Sequence, residues 1–425
     1  MLIGVFALTS TPLYAATGAV DTGDTAWVLV CAALVMLMTP GLGLFYGGMV
    51  RRKNVLGTIL DSFAMVGLVG VLWVLCGYSL AFGRDHWGII GSLDWLGLRG
   101  VGTAPNPSYS ATVPHQAFMI YQAMFAIITP ALITGAFAER MRFKAFVIFS
   151  ILWSTLVYCP IAHWLWSPGG WLRQFGVLDF AGGLVVHVSS GIAALCCALV
   201  LGMRRGFGKE EFTPHNLTMT IVGTGLLWFG WFGFNAGSAL AANGIAVSAF
   251  VATNTAGCAA AMTWMFIEWW HRGKPTALGA ATGAVAGLAA VTPGSGFIGP
   301  GGAMAIGIGV GMICYFAIML KSKFRYDDSL DVFGVHGVGG MWGVAAVGLF
   351  ASVAVNPAGA NGLLSGAASL LIKQLVGIGA VVGYSFIATF ILLKVTRLFT
   401  PLRVEHDDEE TGLDLTQHGE IGYHF

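Results

Sequence analysis

Long apolar runs constrain this chain more than any motif does. Eleven occur, at residues 26–50, 62–82, 117–138, 145–166, 180–203, 217–240, 245–267, 276–298, 302–320, 332–355 and 370–393. Runs of about 20 residues, rising about 1.5 Å each in a helix, match the ~30 Å hydrocarbon core of a bilayer. Lipid offers backbone groups no water, so a spanning segment must pair its own N–H and C=O groups, as a helix does. The composition agrees, with 56% hydrophobic residues, 10% charged and a mean hydropathy of +0.78. The predicted fold class is an all-α membrane protein with eleven transmembrane helices. The 61 glycines suit helices packed closely in lipid. A net charge of +1 gives no basic surface suited to nucleic acid.

Lysine and arginine set the expected orientation. If Arg51, Arg52 and Lys53 face the cytoplasm, 17 of the 21 basic residues fall on that side, leaving only Arg84, Arg99, Arg173 and Lys373 opposite. The positive-inside rule then places the N-terminus outside and the C-terminus inside, as an odd number of spans requires. Residues 1–16, MLIGVFALTSTPLYAA, read as a signal peptide with a short apolar core and a small-residue end, although they lack its charged start. Residues 17–399 form the transmembrane domain. Residues 400–425, with Glu405, Asp407, Asp408, Glu409 and Glu410, form a solvated cytoplasmic tail for contact or regulation. The seven cysteines lie in apolar runs without a CxxC pair and read as small hydrophobes.

One short pattern recurs. Val186-His187-x-x-x-Gly191 in the fifth run returns as Val335-His336-x-x-x-Gly340 in the tenth. Five spans is an odd offset, so the halves lie in opposite orientation, an inverted 5+5 repeat with the working site near the midplane and one further C-terminal helix. A histidine inside a membrane span marks a functional pathway, the plainer alternative being a neutral ring hydrogen-bonded between helices. If residues 180 and 332 begin their spans, the two rings come out about 10 Å apart in depth. Asp179 precedes the fifth span and can cap its helix or steady a nearby cation, and Asp331 before the tenth is read the same way.

Most of the aromatic residues must be packing or interfacial belt. A few stand beside small polar groups: Phe125 in YQAMFAIITP, Trp166 in HWLWSPGG, and Trp231, Phe234 and Ser238 in WFGFNAGS. Aromatic faces with a hydroxyl can hold a small ammonium-type cation. A membrane enzyme is the contrasting reading, but neither HExxH nor GxSxG occurs and no carboxylate lies within a helical turn of either histidine. No enzymatic activity, cofactor or metal is therefore expected.

The chain resembles the bacterial ammonium transporters of the Amt/Mep/Rh family, through GLGLFYGGMVRRKNVL, GAFAERMRF, PIAHWLW, DFAGGLVVH, WFGFNAGSA, DVFGVHGVGG and GLDLTQHGEIGYHF in that order. The resemblance implies eleven helices, a pseudo-twofold between spans 1–5 and 6–10, and a homotrimer in the cell inner membrane with one narrow pore per subunit. It implies recruitment of ammonium, or methylammonium as an analogue, at Phe125, Trp166 and Ser238. It further implies a constriction at Phe125 and Phe234, a touching pore pair at His187 and His336, and support from Asp179 and Trp231. The tail keeps His418-Gly419-Glu420 and Tyr423, which implies a cytoplasmic PII-type regulator, while Gly422 stands where alanine is expected. A neutral NH3/CO2 channel of the Rh type and an ammonium sensor are the alternatives.

Overall fold

A computed structural model describes residues 19–424, so the expected leader at 1–16 lies outside the described residues. The eleven apolar runs form α1 Thr22–Met49, α2 Arg52–Phe82, α3 His115–Phe137, α4 Phe143–Phe175, α5 Gly183–Leu201, α6 Leu217–Ala239, α7 Gly244–Arg272, α8 Ala277–Val291, α9 Pro300–Phe324, α10 Phe333–Phe350 and α11 Ala368–Phe399. Ten are long and apolar enough to cross a membrane. The exception is α8. Its run extends to 298, but the helix stops after 15 residues. Pro293 has no N–H to donate and crowds the turn before it, and Gly294 and Gly296 follow.

Helix α3 is almost wholly enclosed, whereas α2 and α11 leave most of their apolar surface on the outside, including Phe63, Val71, Ile372 and Ile387. Such faces suit lipid rather than water. The helices that open the two halves, α1 and α6, pack along each other, and so do those that close them, α5 and α10. A 5+5 repeat pairs equivalent helices in this way, and the site grows from the second pair.

The tail departs from its expected solvation. It forms two short helices, α12 His406–Thr411 and α13 Leu413–His418. Helix α2 begins with N–H groups that lack helical partners. Asp414 accepts those of Leu56 and Gly57 at 3.0 and 2.8 Å, and Asn54 Oδ1 accepts the Leu413 N–H at 2.8 Å. Glu409 pairs with Arg403 at 2.6 Å, and both Glu409 and Asp414 are buried. The acidic residues of the tail therefore divide between solvent and the base of the membrane domain.

Candidate functional site

Helices α5 and α10 each open with a π-helical turn, at Gly183–Val188 and Phe333–Val338, and each turn carries a histidine. Such wide turns are rare in helices and need a local cause. At α5 the cause is Asp179. Its Oδ1 accepts the N–H groups of Gly182 and Gly183 at 2.9 and 2.6 Å, and its Oδ2 those of Leu184 and Val185 at 2.7 and 3.1 Å. Gly182 has φ 114°, a conformation that an L side chain resists. The N–H of His187 then reaches back to Gly182 O at 3.1 Å, one residue further than in an α-helix. Burial pushes the Asp179 carboxyl above its usual range, against the pull of these four N–H donors.

At α10 the expected cap at Asp331 is corrected. Asp331 is an ion-pair partner of Lys321 and has φ 60°, while the N–H of Phe333 donates to Asp328 Oδ2 at 2.7 Å. Asp328 stands eight residues before His336, as Asp179 stands eight before His187. The carboxylate equivalent to Asp179 is therefore Asp328, and that shared offset was the available signal. Its Oδ1 is buried and meets no hydrogen-bond partner. Burial first, and Asp331 second, push its carboxyl up to about 6, despite Lys321 and the N–H groups of Phe333 and Val332.

The repeated glycines bring the two helices into contact. A Cβ on Gly191 would lie 2.2 Å from Gly337 N and 2.9 Å from His336 C, and one on Gly340 would lie 3.1 Å from His187 Cβ. Each glycine of the pattern is thus the surface against which the other half's histidine segment rests. The rings meet Nδ1 to Nδ1 at 3.2 Å, with centroids 5.2 Å apart and planes 16° from parallel. The 10 Å separation in depth does not arise, because the two rings are in direct contact. Both rings are buried, and His187 Nε2 has no hydrogen-bond partner. One Nδ1 must donate and the other accept. Two neutral rings sharing that bond expose, at their Nε2 atoms, one donor and one acceptor.

Trp231 stacks beside His187 at 5.5 Å and 22°, fixed by its Nε1–H donating to Thr292 Oγ1 at 2.9 Å. Phe234 follows at 6.1 Å from the His187 ring. Phe234 lies 4.3 Å from Phe125, and Phe125 meets Trp166 edge to face at 5.6 Å. The Trp166 Nε1–H donates to Asp179 O at 2.9 Å, joining the residue that shapes α5 to this aromatic row. Ser238 donates its own proton to Phe234 O at 2.9 Å, which leaves oxygen lone pairs to accept from elsewhere. Tyr121, which the sequence reading did not single out, lies 5.0 Å from Phe125 and contacts Ser238 Oγ at 3.2 Å. Its position one helical turn before Phe125 in YQAMF was the available clue.

Around the two histidines, the apolar side chains of Leu42, Leu132, Leu227, Trp231 and Phe234 help to enclose a cavity with about 10 Å³ open to the centre of a water-sized molecule. That is space for about one such molecule. Among the described residues no cluster of three or more His, Cys, Asp or Glu is placed to hold a metal ion.

Fold and site together define a multi-pass membrane protein with a narrow apolar cavity crossed by a pair of imidazoles. The profile of the Ammonium Transporter Family matches residues 26–423. A protein of Bacillus subtilis named "Ammonium transporter" is 54% identical over 402 residues, covering 94% of this chain and 98% of that one. Mep2 of Candida albicans superposes with a TM-score of 0.87 at 38% identity, covering 95% of this chain and 91% of that one. A structure described as "Sensor Amt Protein" superposes with a TM-score of 0.86 at 27% identity, covering 93% and 98%. The chain belongs to the ammonium transporter family.

Proposed function

We propose that the protein binds ammonium outside the membrane, strips it of a proton and passes ammonia through the bore beside His187 and His336. The observation that carries this reading is the 3.2 Å Nδ1–Nδ1 contact inside an otherwise apolar cavity. The Trp166 and Phe125 faces attract the cation, an effect worth about 0.5–2 kcal/mol, and Ser238 Oγ accepts one of its N–H bonds in place of water. Potassium has no such bond to offer. Phe125 and Phe234 then close the path to anything that keeps its hydration shell, and a bare charge in that space is very costly. Ammonia avoids most of that cost. It also needs both a donor and an acceptor, which the shared bond between the imidazoles leaves available at their Nε2 atoms.

The setting belongs to the same proposal. The N-terminus lies outside and the C-terminus inside an inner membrane, three subunits associate with one pore each, and the tail meets a PII-type regulator. The test is an ammonium pulse to proteoliposomes, recording current and internal pH, with methylammonium and potassium as comparisons. His187→Ala and His336→Ala should abolish ammonium flux or admit other cations while the protein stays folded. Wild-type flux and selectivity in both would overturn the reading. Tight ammonium binding without flux in the unmodified protein would favour a sensor, and equal passage of carbon dioxide a neutral gas channel.

A further inference from the structure

One fully buried histidine stands outside the pore. His163 lies in α4, one helical turn before Trp166, and none of its surface reaches solvent. Its Nδ1 meets Ala81 O at 2.9 Å and its Nε2 meets Asp85 Oδ1 at 2.8 Å. A carbonyl oxygen can only accept, and Asp85 Oδ1 also receives the N–H of Gly88 at 2.8 Å. The ring therefore donates at both nitrogens, as an imidazolium does, and the Asp85 carboxylate neutralises it. A buried charge left alone is costly, so each partner depends on the other.

The pair joins two segments where α4 is interrupted. The helical stretch Cys159–Trp166 ends as Ser167 turns extended at ψ 141°, its N–H still donating to His163 O at 3.2 Å. Residues 167–170 form the break, and the helix resumes at Trp171. The loop between α2 and α3 closes on this break at three points. Asp85 holds His163, the N–H of Trp171 donates to Gly88 O at 3.1 Å, and the Trp164 Nε1–H donates to Ile89 O at 2.9 Å. The approach is close, since a Cβ on Gly169 would lie 2.4 Å from Asp85 Cβ. Of the three links, only His163–Asp85 joins two side chains.

We propose that His163 and Asp85 are positioning residues for ammonium recruitment, a role that rests on the reading of Trp166 as a recruitment face. Trp166 is the last helical residue before the break, so its backbone follows the loop clamped there. Its carbonyl accepts from Arg173 Nη1 at 2.5 Å and its indole N–H donates to Asp179 O, which fix it on the side after the break. The ion pair fixes it on the side before. Cation–π attraction acts over the ring face within about 6 Å of its centre, so an indole tilted away from Phe125 and Ser238 holds the cation less well while the bore stays open. The pair thus governs how tightly ammonium is held and not how fast ammonia passes.

The test measures ammonium and methylammonium flux in proteoliposomes over a range of concentrations, so that half-saturating concentration and maximal rate separate. Asp85→Asn and His163→Gln should each raise the half-saturating concentration about two- to thirtyfold, the span of a lost cation–π contact, with little change in maximal rate. The double variant should bind no more weakly than the worse single one, because both remove the same link. Asp94→Asn, which alters an exposed carboxylate of the same loop paired with Arg84, should behave as wild type. Asp85 keeps 34% of its side chain exposed, so its replacement is tolerated even where His163→Gln fails to fold, and a thermal scan verifies each variant. An unchanged half-saturating concentration in folded Asp85→Asn overturns the inference. So does a loss confined to maximal rate, or a double variant whose effect is the product of the two single ones. Trp166→Leu separates the two levels: if it weakens binding and Asp85→Asn does not, only the inference fails, whereas wild-type saturation in both removes the recruitment reading as well.

Discussion

The two histidine helices share a plan and differ in how completely it is finished. Each places an aspartate eight residues before the histidine, breaks the chain with a left-handed residue and opens its helix with a π turn. At α5, Asp179 accepts four N–H groups and both of its oxygens are engaged. At α10, Asp328 takes Phe333 on one oxygen, the other meets nothing, and the pair Lys321–Asp331 stands beside it. His187 is likewise backed by Trp231 and Phe234, whereas the only aromatic ring stacked on His336 among the described residues is His187. The repeat supplies the geometry of the site, while the local donors decide how rigidly each half holds it.

The largest test of this difference is the same change in both halves. Asp179→Asn replaces one acceptor oxygen by an NH2 group facing two N–H donors. A buried donor left unmet costs about 1–3 kcal/mol, so the variant should lose about 3 kcal/mol or more and most of its ammonium flux. Asp328→Asn can keep its oxygen on Phe333 and turn the NH2 to the unpartnered side, so it should fold with little loss. Thermal unfolding in detergent, with flux in proteoliposomes, measures both. Equal losses in the two variants would break the comparison.

Much of this asymmetry was absent from the sequence for identifiable reasons. The apolar runs gave the helices, because a bilayer leaves a long apolar segment little alternative, and the repeated Val-His-x-x-x-Gly pattern pointed to the pair. The pattern did not show why its glycines recur, since Gly191 and Gly340 each pack against the opposite half. Asp331 drew attention by lying next to the span, but the width of a π turn moves the capping position back to Asp328. The apolar run of α8 outlasts its helix because hydropathy does not weigh the stop at Pro293. The burial of Glu409 and Asp414 depends on contacts with residues 54–57 and 205, far away in sequence, and no local charge pattern reports them.

A second test sharpens the comparison at the rings. Trp231→Leu removes the flat partner of His187 and the bond to Thr292, and Trp231→Phe removes only the bond. If stacking positions His187, the leucine variant should lose about tenfold in flux, in line with the sensitivity of reacting groups to small displacements, and the phenylalanine variant should keep most of it. Equal loss in both would assign the effect to the Thr292 bond and leave the stacking without a role.

The smallest expected effect is the most specific, because only its dependence on pH carries the information. Asp328 has its carboxyl raised to about 6 by burial and by Asp331, whereas an unfolded chain releases the same proton near pH 3.9. Between those values the folded protein holds a proton that the unfolded chain has lost, so the stability contributed by this group is complete below about pH 4 and falls as pH rises through about 6. The shift corresponds to a few kcal/mol at most, on the order of 1.4 kcal/mol per unit. Asp328→Asn has no proton to lose there. Wild type should therefore lose stability relative to the variant as the pH of the thermal scan is raised from 4 to 7, with the difference constant above about 7. A difference independent of pH would mean that Asp328 holds no proton beyond the range of a free carboxyl, and its unpartnered oxygen would then not distinguish the two halves.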